Sequence, residues 1–256
     1  MSISLTNNIS TLNISGNLDL ASILMAKSMT KLASGWKINS AADDPAGLVI
    51  SEQMRSQIAS LNQEIENTDI AINKYQTADS ALLQMRNDLT EIRSLAIGAA
   101  NSGVNDEAMQ SAYQKEADNL VQSYNRTIET SSFGKQGLLD GSSGAPANIP
   151  KLSNFDLSTA EAAENSINAV DEKISRLDEA ISDIGATQKN SLESHLSNLR
   201  IEAQNLTAAE SQIRNTDYAM EFANLLRNKL VVQSAVSLLS HGNLTPRLVL
   251  SLLSED

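Results

Sequence analysis

The side chains with reactive potential are few and scattered. The chain of 256 residues has two histidines, His195 and His241, and no cysteine. A zinc site therefore lacks its usual donors, and neither a thiolate nucleophile nor a disulfide can form. Asp43-Asp44 is the one carboxylate pair that could hold a cation or divide acid and base roles. Pro45 follows it, however, and the pattern reads as an N-cap at Asp44 with proline in the first helical position, where a missing N–H costs nothing. Gly134, Gly137 and Gly141 are not followed by Lys-Ser or Lys-Thr, so they do not make a phosphate loop. His195 lies between Ser194 and Leu196 in a helical pattern and reads as a solvated helix residue. Asn-x-Ser/Thr triplets such as those at 8, 13, 205 and 243 are expected by chance in so Asn-rich a chain. No constellation supports an enzyme, and neither a metal nor a cofactor is expected.

Composition directs attention to long helices instead. Aromatic residues make up 3 % of the chain, and Ala, Leu, Ile, Ser, Asn and Gln are abundant, which suits elongated helices around thin cores. The net charge of −12 and a pI near 4.6 disfavour nucleic acid or an anionic membrane as partner, because no basic patch can release phosphate counterions. The first residues carry no positive charge before Lys27 and no unbroken apolar run, so they read as neither a secretory signal nor an anchor.

The expected fold is all-α: a long antiparallel, coiled-coil-like helical bundle with paired N- and C-terminal helices. Residues 1–34 form a weakly amphipathic helix, a turn covers 34–40, and a new helix begins at Asp44-Pro45. From Met54 the apolar positions Ile58, Leu61, Ile65, Ile72, Tyr75, Leu82, Met85, Leu89, Ile92 and Ala96 make a heptad seam. Residues 101–106 break it, and a shorter helix runs from about Glu107 to Thr130. The glycine- and proline-rich stretch 131–157 is a turn-rich connection with room for a small hairpin. Ser158 and Glu161 suggest a capping box before Ile167, Val170, Ile174, Leu177, Ile181 and Ile184. A phase break near Gly185 precedes Leu192, Leu196, Leu199, Ala203, Leu206, Ala209 and Ile213. The last segment carries Tyr218 to Leu239, stops at Gly242 and resumes at Pro246.

The two ends carry too much apolar surface for free tails and too little chain to build cores of their own. Residues 1–43 and 216–256 are therefore expected to be polymerisation segments, around a helical rod of residues 44–215. The positions expected to meet other copies are Leu5, Ile9, Leu12, Leu20, Leu24 and Leu32, with Leu225, Leu226, Leu230, Val236, Leu239, Val249, Leu250, Leu252 and Leu253. In the free subunit both ends should stay largely unstructured, since isolated weak helices do not repay an ordering entropy of about 1 to 2 kcal/mol per residue.

The run Ser28-Met-Thr-Lys-Leu-Ala-Ser-Gly-Trp-Lys-Ile-Asn-Ser-Ala-Ala-Asp-Asp-Pro-Ala-Gly-Leu-Val-Ile-Ser-Glu-Gln-Met-Arg-Ser-Gln-Ile58 closely resembles the N-terminal signature of bacterial flagellins. Gln76-Thr-Ala, Ile92-Arg-Ser-Leu-Ala, Asn205-Leu-Thr-Ala-Ala-Glu-Ser-Gln-Ile-Arg-Asn-Thr-Asp-Tyr218 and Val249-Leu-Ser-Leu-Leu253 match in the expected order. The resemblance implies a flagellar filament subunit, exported unfolded by the flagellar type III apparatus and secreted to an extracellular flagellum for motility. Implied partners are other copies of the chain, an export chaperone on the C-terminal segment, and filament cap and hook-junction proteins. The variable outer domains of larger flagellins are reduced here to residues 141–157.

Departures from the family pattern are Trp36, Pro45, the sequence Phe133-Gly-Lys-Gln-Gly without the common Asn-Gly, and the acidic tail Ser254-Glu255-Asp256. The resemblance also implies an innate-receptor contact at Glu91, Arg93, Leu95 and Glu116. The family's receptor-contacting arginine corresponds to Glu91, and such a reversal weakens recognition. Two rival readings are a hook-filament junction protein, whose N-terminal signature fits less well, and a secreted helical binding protein that stays monomeric.

Overall fold

A computed structural model describes residues 8–101, 103 and 106–253, the side chains of 243 and 245–253 excepted. In chain order it contains α1 (Ile9–Ser34), α2 (Pro45–Ala100), α3 (Glu107–Thr130), β1 (Ser132–Phe133), β2 (Gln136–Gly137), α4 (Ala160–Ala186), a π-helical turn (Thr187–Glu193), α5 (Ser194–Arg214) and α6 (Tyr218–Leu253). Two compact units are present, one bounded by Met1–Ser60 and Ala203–Asp256, the other by Leu61–Glu202. Among the described residues no helix is long and apolar enough to cross a membrane.

In the Leu61–Glu202 unit, the expected seam on α2 is half-buried at Leu61, Ile65, Ile72 and Tyr75 and fully buried at Leu82, Met85, Leu89, Ile92 and Ala96. The difference follows from what covers each stretch. Leu82, Met85, Leu89 and Ile92 pack with Val121, Tyr124 and Ile128 of α3, Val170, Leu177 and Ile184 of α4, and Leu138, Leu139, Ile149 and Leu152 of the connection, while Ala96 packs with Ala117, Leu157 and Ala163. α3 starts at Glu107 because the Asp106 carboxylate accepts the Met109 N–H at 2.8 Å. Burial pushes the Tyr124 phenol up to about 12, as expected of a ring deep in this core.

α4 and α2 run antiparallel, since Arg86 pairs with Asp178 at 2.6 Å and Arg93, seven residues on, pairs with Asp171, seven residues back. The inward positions Ala163, Val170, Leu177 and Ile184 repeat every seven residues, whereas Leu192, Leu199, Leu206 and Ile213 keep the same repeat displaced by one residue. One extra residue in an α-helix is accommodated as a π turn. The phase break expected near Gly185 is therefore the segment Thr187–Glu193, where no residue is buried.

The connection is held by side-chain amides that imitate a strand. Asn125 on α3 accepts the Leu152 N–H at 2.8 Å and donates to the Leu152 carbonyl at 2.9 Å. Three helical turns earlier Gln114 donates to the Phe155 carbonyl at 2.8 Å and accepts the Leu157 N–H at 2.6 Å. The hairpin pairs Ser132 with Gly137 and Phe133 with Gln136, and turns at Gly134 with φ 65°. This positive φ explains why glycine follows Phe133. One cap differs from expectation: Thr159, not Ser158, starts α4 by accepting the Ala162 N–H at 3.2 Å. Ser158 instead gives its N–H and hydroxyl to Asp156, which removes it from the capping role.

Because Leu152 is buried, removing its amide partner strands both a donor and an acceptor. Asn125→Ala should lower stability by about 2 kcal/mol, a fall in Tm of roughly 4 to 8 °C for a chain of this size. Asn125→Asp, which keeps the acceptor only, should lose about half as much. Thermal unfolding followed by circular dichroism checks this, and an unchanged Tm for Asn125→Ala contradicts the clamp.

Candidate assembly surface

The surface formed by α1 and α6 is positioned by a junction between residues 34–55 and 214–220. α1 ends at Gly35, whose φ of 77° lets its N–H reach the Lys31 carbonyl at 2.9 Å. The chain then pairs antiparallel with the end of α5. Lys37 N–H donates to the Arg214 carbonyl at 2.7 Å, Thr216 N–H donates to the Gly35 carbonyl at 2.9 Å, and Trp36 bridges to Asn215. Arg214 is only 7 % exposed. Its guanidinium lies 4.3 Å from the centre of the Trp36 ring and donates to Glu52 Oε1 at 2.6 Å. The arginine's hydrogen bond, with Arg55 adding to it, holds the Glu52 carboxyl below its ordinary value of 4.5. Trp36, unusual for the resembling family, thus supplies the aromatic face over which a buried cation stacks.

The carboxylate pair at 43 and 44 is consumed by capping. Asp44 accepts the Gly47 N–H at 2.9 Å, which starts α2 at Pro45. Asp43 accepts the N–H groups of Ser40 and Asn39 and the Ser40 hydroxyl, and the Ser40 N–H is foremost in holding its pKa down. Asp217 begins α6 by accepting the N–H groups of Ala219 and Met220. His195 is half-exposed with its ring Nε2 3.3 Å from Glu64 Oε1. Among the described residues, no three His, Cys, Asp or Glu side chains are grouped to hold a metal ion.

α1 and α6 face each other along one seam. On α1 the inward positions are Thr11, Ile14, Leu18, Ala21, Met25, Ser28 and Leu32, spaced by threes and fours. On α6 they are Glu221, Leu225, Asn228, Val232, Ala235, Leu239 and Gly242. Among the described residues of the two helices, only Ala21, Ser28 and Ala235 are fully buried, and all three are small. The pair therefore has close contact and little core.

The expected polymerisation residues divide between the two faces. Leu32, Leu225 and Leu239 are half-buried in the seam. Ile9, Leu12, Leu20, Leu24, Leu226, Leu230 and Val236 point outward, with Leu12 at 73 % and Leu230 at 63 % exposure. Leu5 lies outside the described residues, and so do the side chains of Val249, Leu250, Leu252 and Leu253. Ile23, Met29 and Met220 join the outward surface without having been singled out, as do Phe222 and Leu238 from the apolar run of the last segment. Both helices are apolar nearly all round, so a single stripe could not capture them. The expected stop at Gly242 does not occur, because α6 is continuous through Gly242 and Pro246 to Leu253. Along the seam an apolar groove of about 330 Å³ is lined by Ile14, Leu230, Val231, Ala235 and Leu238, together with Arg227.

Charge is distributed to match. Residues 1–43 and 216–256 together hold six basic and six acidic residues, while 44–215 hold 13 basic and 25 acidic, so the whole net charge of −12 sits in the middle of the chain. Of the positions implied for a receptor contact, Glu91 and Glu116 are exposed and Leu95 packs beside Ala96 and Ala117. Arg93 is engaged twice by Asp171, at 2.5 and 3.3 Å, which raises the guanidinium pKa.

With this geometry in place, sequence comparison is decisive. The profile of the "Bacterial flagellin N-terminal helical region" matches residues 5–144, and that of the "Bacterial flagellin C-terminal helical region" matches residues 167–253. A flagellin of Halalkalibacterium halodurans is 35 % identical, covering 97 % of this chain and 99 % of its own. A flagellin of Bacillus subtilis is 30 % identical, with the same coverage of both chains. The flagellin FlaB1 of Treponema pallidum is 29 % identical, again over 97 % of this chain and 99 % of its own. Among solved structures, the Bacillus cereus flagellin covers 57 % of this chain and 94 % of its own at 24 % identity, with a TM-score of 0.45, so the assignment rests on the sequence matches. Two profiles in the right order across most of the chain, together with a relative more than one-third identical from end to end, place this protein in the bacterial flagellin family.

Proposed function

We infer that the chain is a structural subunit that polymerises through residues 1–43 and 216–256 into the flagellar filament, with residues 44–215 as the surrounding rod. The observation that carries this reading is the outward apolar surface of the α1 and α6 pair, with Ile9, Leu12 and Leu20 exposed on one helix and Leu226 and Leu230 exposed on the other. Leaving such side chains in water forgoes about 1.5 to 3 kcal/mol each, and a two-helix layer has nothing else with which to cover them. Neighbouring copies supply that cover. Head-to-tail addition of identical subunits then generates an open helical polymer rather than a closed ring.

The near-neutral ends and acidic middle support the same reading, because apolar faces without net charge approach one another with little repulsion. The subunit acts without catalysis, leaves the cell unfolded through the flagellar export apparatus, and functions outside it in motility. An export chaperone on the C-terminal segment, and cap and hook-junction proteins, are its further partners. Innate-receptor recognition is weak, as an exposed Glu91 stands where the family carries its receptor-contacting arginine, and Arg93 is committed to Asp171.

Deleting residues 216–256 should abolish polymerisation while the rod remains helical, as read by sedimentation and circular dichroism. Leu230→Asp should do the same without lowering the Tm of the rod; filaments formed by either variant at wild-type subunit concentrations contradict the reading.

Acid should loosen the junction. A carboxylate whose folded pKa is depressed contributes stability that is whole above its unfolded value and vanishes as pH falls through the folded one. Filaments should therefore weaken progressively below about pH 4 to 5, and Glu52→Gln filaments should be less stable at neutral pH yet lose less on acidification. Equal acid sensitivity of both proteins removes Glu52 from the account. Purified monomer should also fail to stimulate receptor-bearing cells at nanomolar dose, and a robust response there refutes weak recognition.

A further inference from the structure

With no cysteine in the chain, methionine sulfur is its readiest acceptor of an oxygen atom. The described methionines are unevenly placed. In the Leu61–Glu202 unit, Met85 is fully buried in the core and Met109 on α3 is 41 % exposed. In the other unit Met54 is half-buried on α2, and the remaining three stand on the pair of terminal helices. Met220 is 64 % and Met29 is 51 % exposed on its outward surface, and Met25 is half-buried in its seam. A methionine adds to an apolar surface only as a thioether. Oxidation converts it to a polar sulfoxide, whose oxygen loses its water when another apolar surface covers it.

We propose that Met25, Met29 and Met220 form a peroxide-sensitive modification site that governs whether a free subunit can assemble. Hydrogen peroxide is the oxidant. The sulfur lone pair takes one peroxide oxygen, the O–O bond breaks, and the departing hydroxide collects the proton of the transferred oxygen and leaves as water. Sulfur is oxidised by two electrons and the peroxide is reduced by two. In the free subunit all three thioethers reach solvent, so the reaction is open there. Once neighbouring copies cover the terminal pair, the same sulfurs are shielded. Peroxide therefore stops the addition of new subunits and spares the finished polymer. Met109 differs in position, not in chemistry: its sulfoxide lies on α3 and leaves the terminal surface unchanged. The proposal deepens the reading of the chain as a filament subunit and rests on it.

The test uses three full-length proteins: wild type, Met109→Leu, and the triple variant Met25→Leu, Met29→Leu, Met220→Leu. Each is treated with hydrogen peroxide, cleared of it and added to seeds, while peptide mass spectrometry reads the sulfoxide at every methionine. Treatment should raise the critical concentration of the wild type by about tenfold or more, the effect of one methionine side chain no longer favourably buried. Met109→Leu should lose as much. The triple variant keeps the apolar volume, and it should grow after treatment as before it, although its Met109 is oxidised. Methionine sulfoxide reductase with a dithiol should restore the treated wild type. Peroxide added to finished filaments should leave Met25, Met29 and Met220 as thioethers. Equal loss in the triple variant and the wild type overturns the proposal, and so does oxidation of these three positions as fast in the filament as in the free subunit. If untreated wild type does not extend seeds, the filament reading itself fails. The sulfur site is then judged in the free subunit, where the three should oxidise roughly tenfold faster than buried Met85, and equal rates overturn the assignment.

Discussion

Two helices laid side by side share a single seam, and a single seam cannot bury helices that are apolar nearly all round. In α1 and α6 that geometry leaves Ala21, Ser28 and Ala235 as the fully enclosed residues while Leu12, Leu20, Met220 and Leu230 remain in solvent. The Leu61–Glu202 unit meets the opposite condition. There three helices and a folded connection close over Leu82, Met85, Leu89, Leu177 and Ile184 with no exposure above 2 %. One unit encloses its own core, and the other leaves its apolar side chains exposed. In the proposed filament, assembly follows from that imbalance, and the junction around Arg214 aims the incomplete pair.

The junction shows how few groups perform this aiming. A glycine with positive φ ends α1, two backbone hydrogen bonds tie residues 35–37 to 214–216, and Arg214 fills the space between Trp36 and Glu52. A buried guanidinium needs an opposite charge and a flat, polarisable surface, and Glu52 and Trp36 provide them. Placing the entire net negative charge in residues 44–215 leaves the pair of terminal helices electrically quiet. In the proposed filament, apolar contact between copies is then not opposed by net charge.

Features with a local cause were legible in the sequence. Asp44-Pro45 specifies where α2 begins, the span of α3 follows from Asp106 and the apolar spacing behind it, and the one-residue slip after Ile184 marks the π turn. Features with a distant cause were not. The capping role of Thr159 depends on Asp156 claiming Ser158. α6 runs on through Gly242 and Pro246, residues that locally read as a stop, and the Asn8 side chain that donates to the Gly242 carbonyl comes from more than two hundred residues away. Which leucines of α1 face outward could not be read from its own pattern, because apolar residues occur on every side and only the partner helix selects the seam. The outward set was found by its excess, not by its phase.

The central claim is that the terminal pair is held by neighbouring copies rather than by its own interior, and hydrogen exchange tests it most directly. Amides of residues 9–34 and 218–253 should exchange nearly as fast as an unstructured chain in the free subunit and become strongly protected in the filament, while residues 78–99 stay protected in both. Protection of the terminal helices in the free subunit equal to that in the filament would contradict the account.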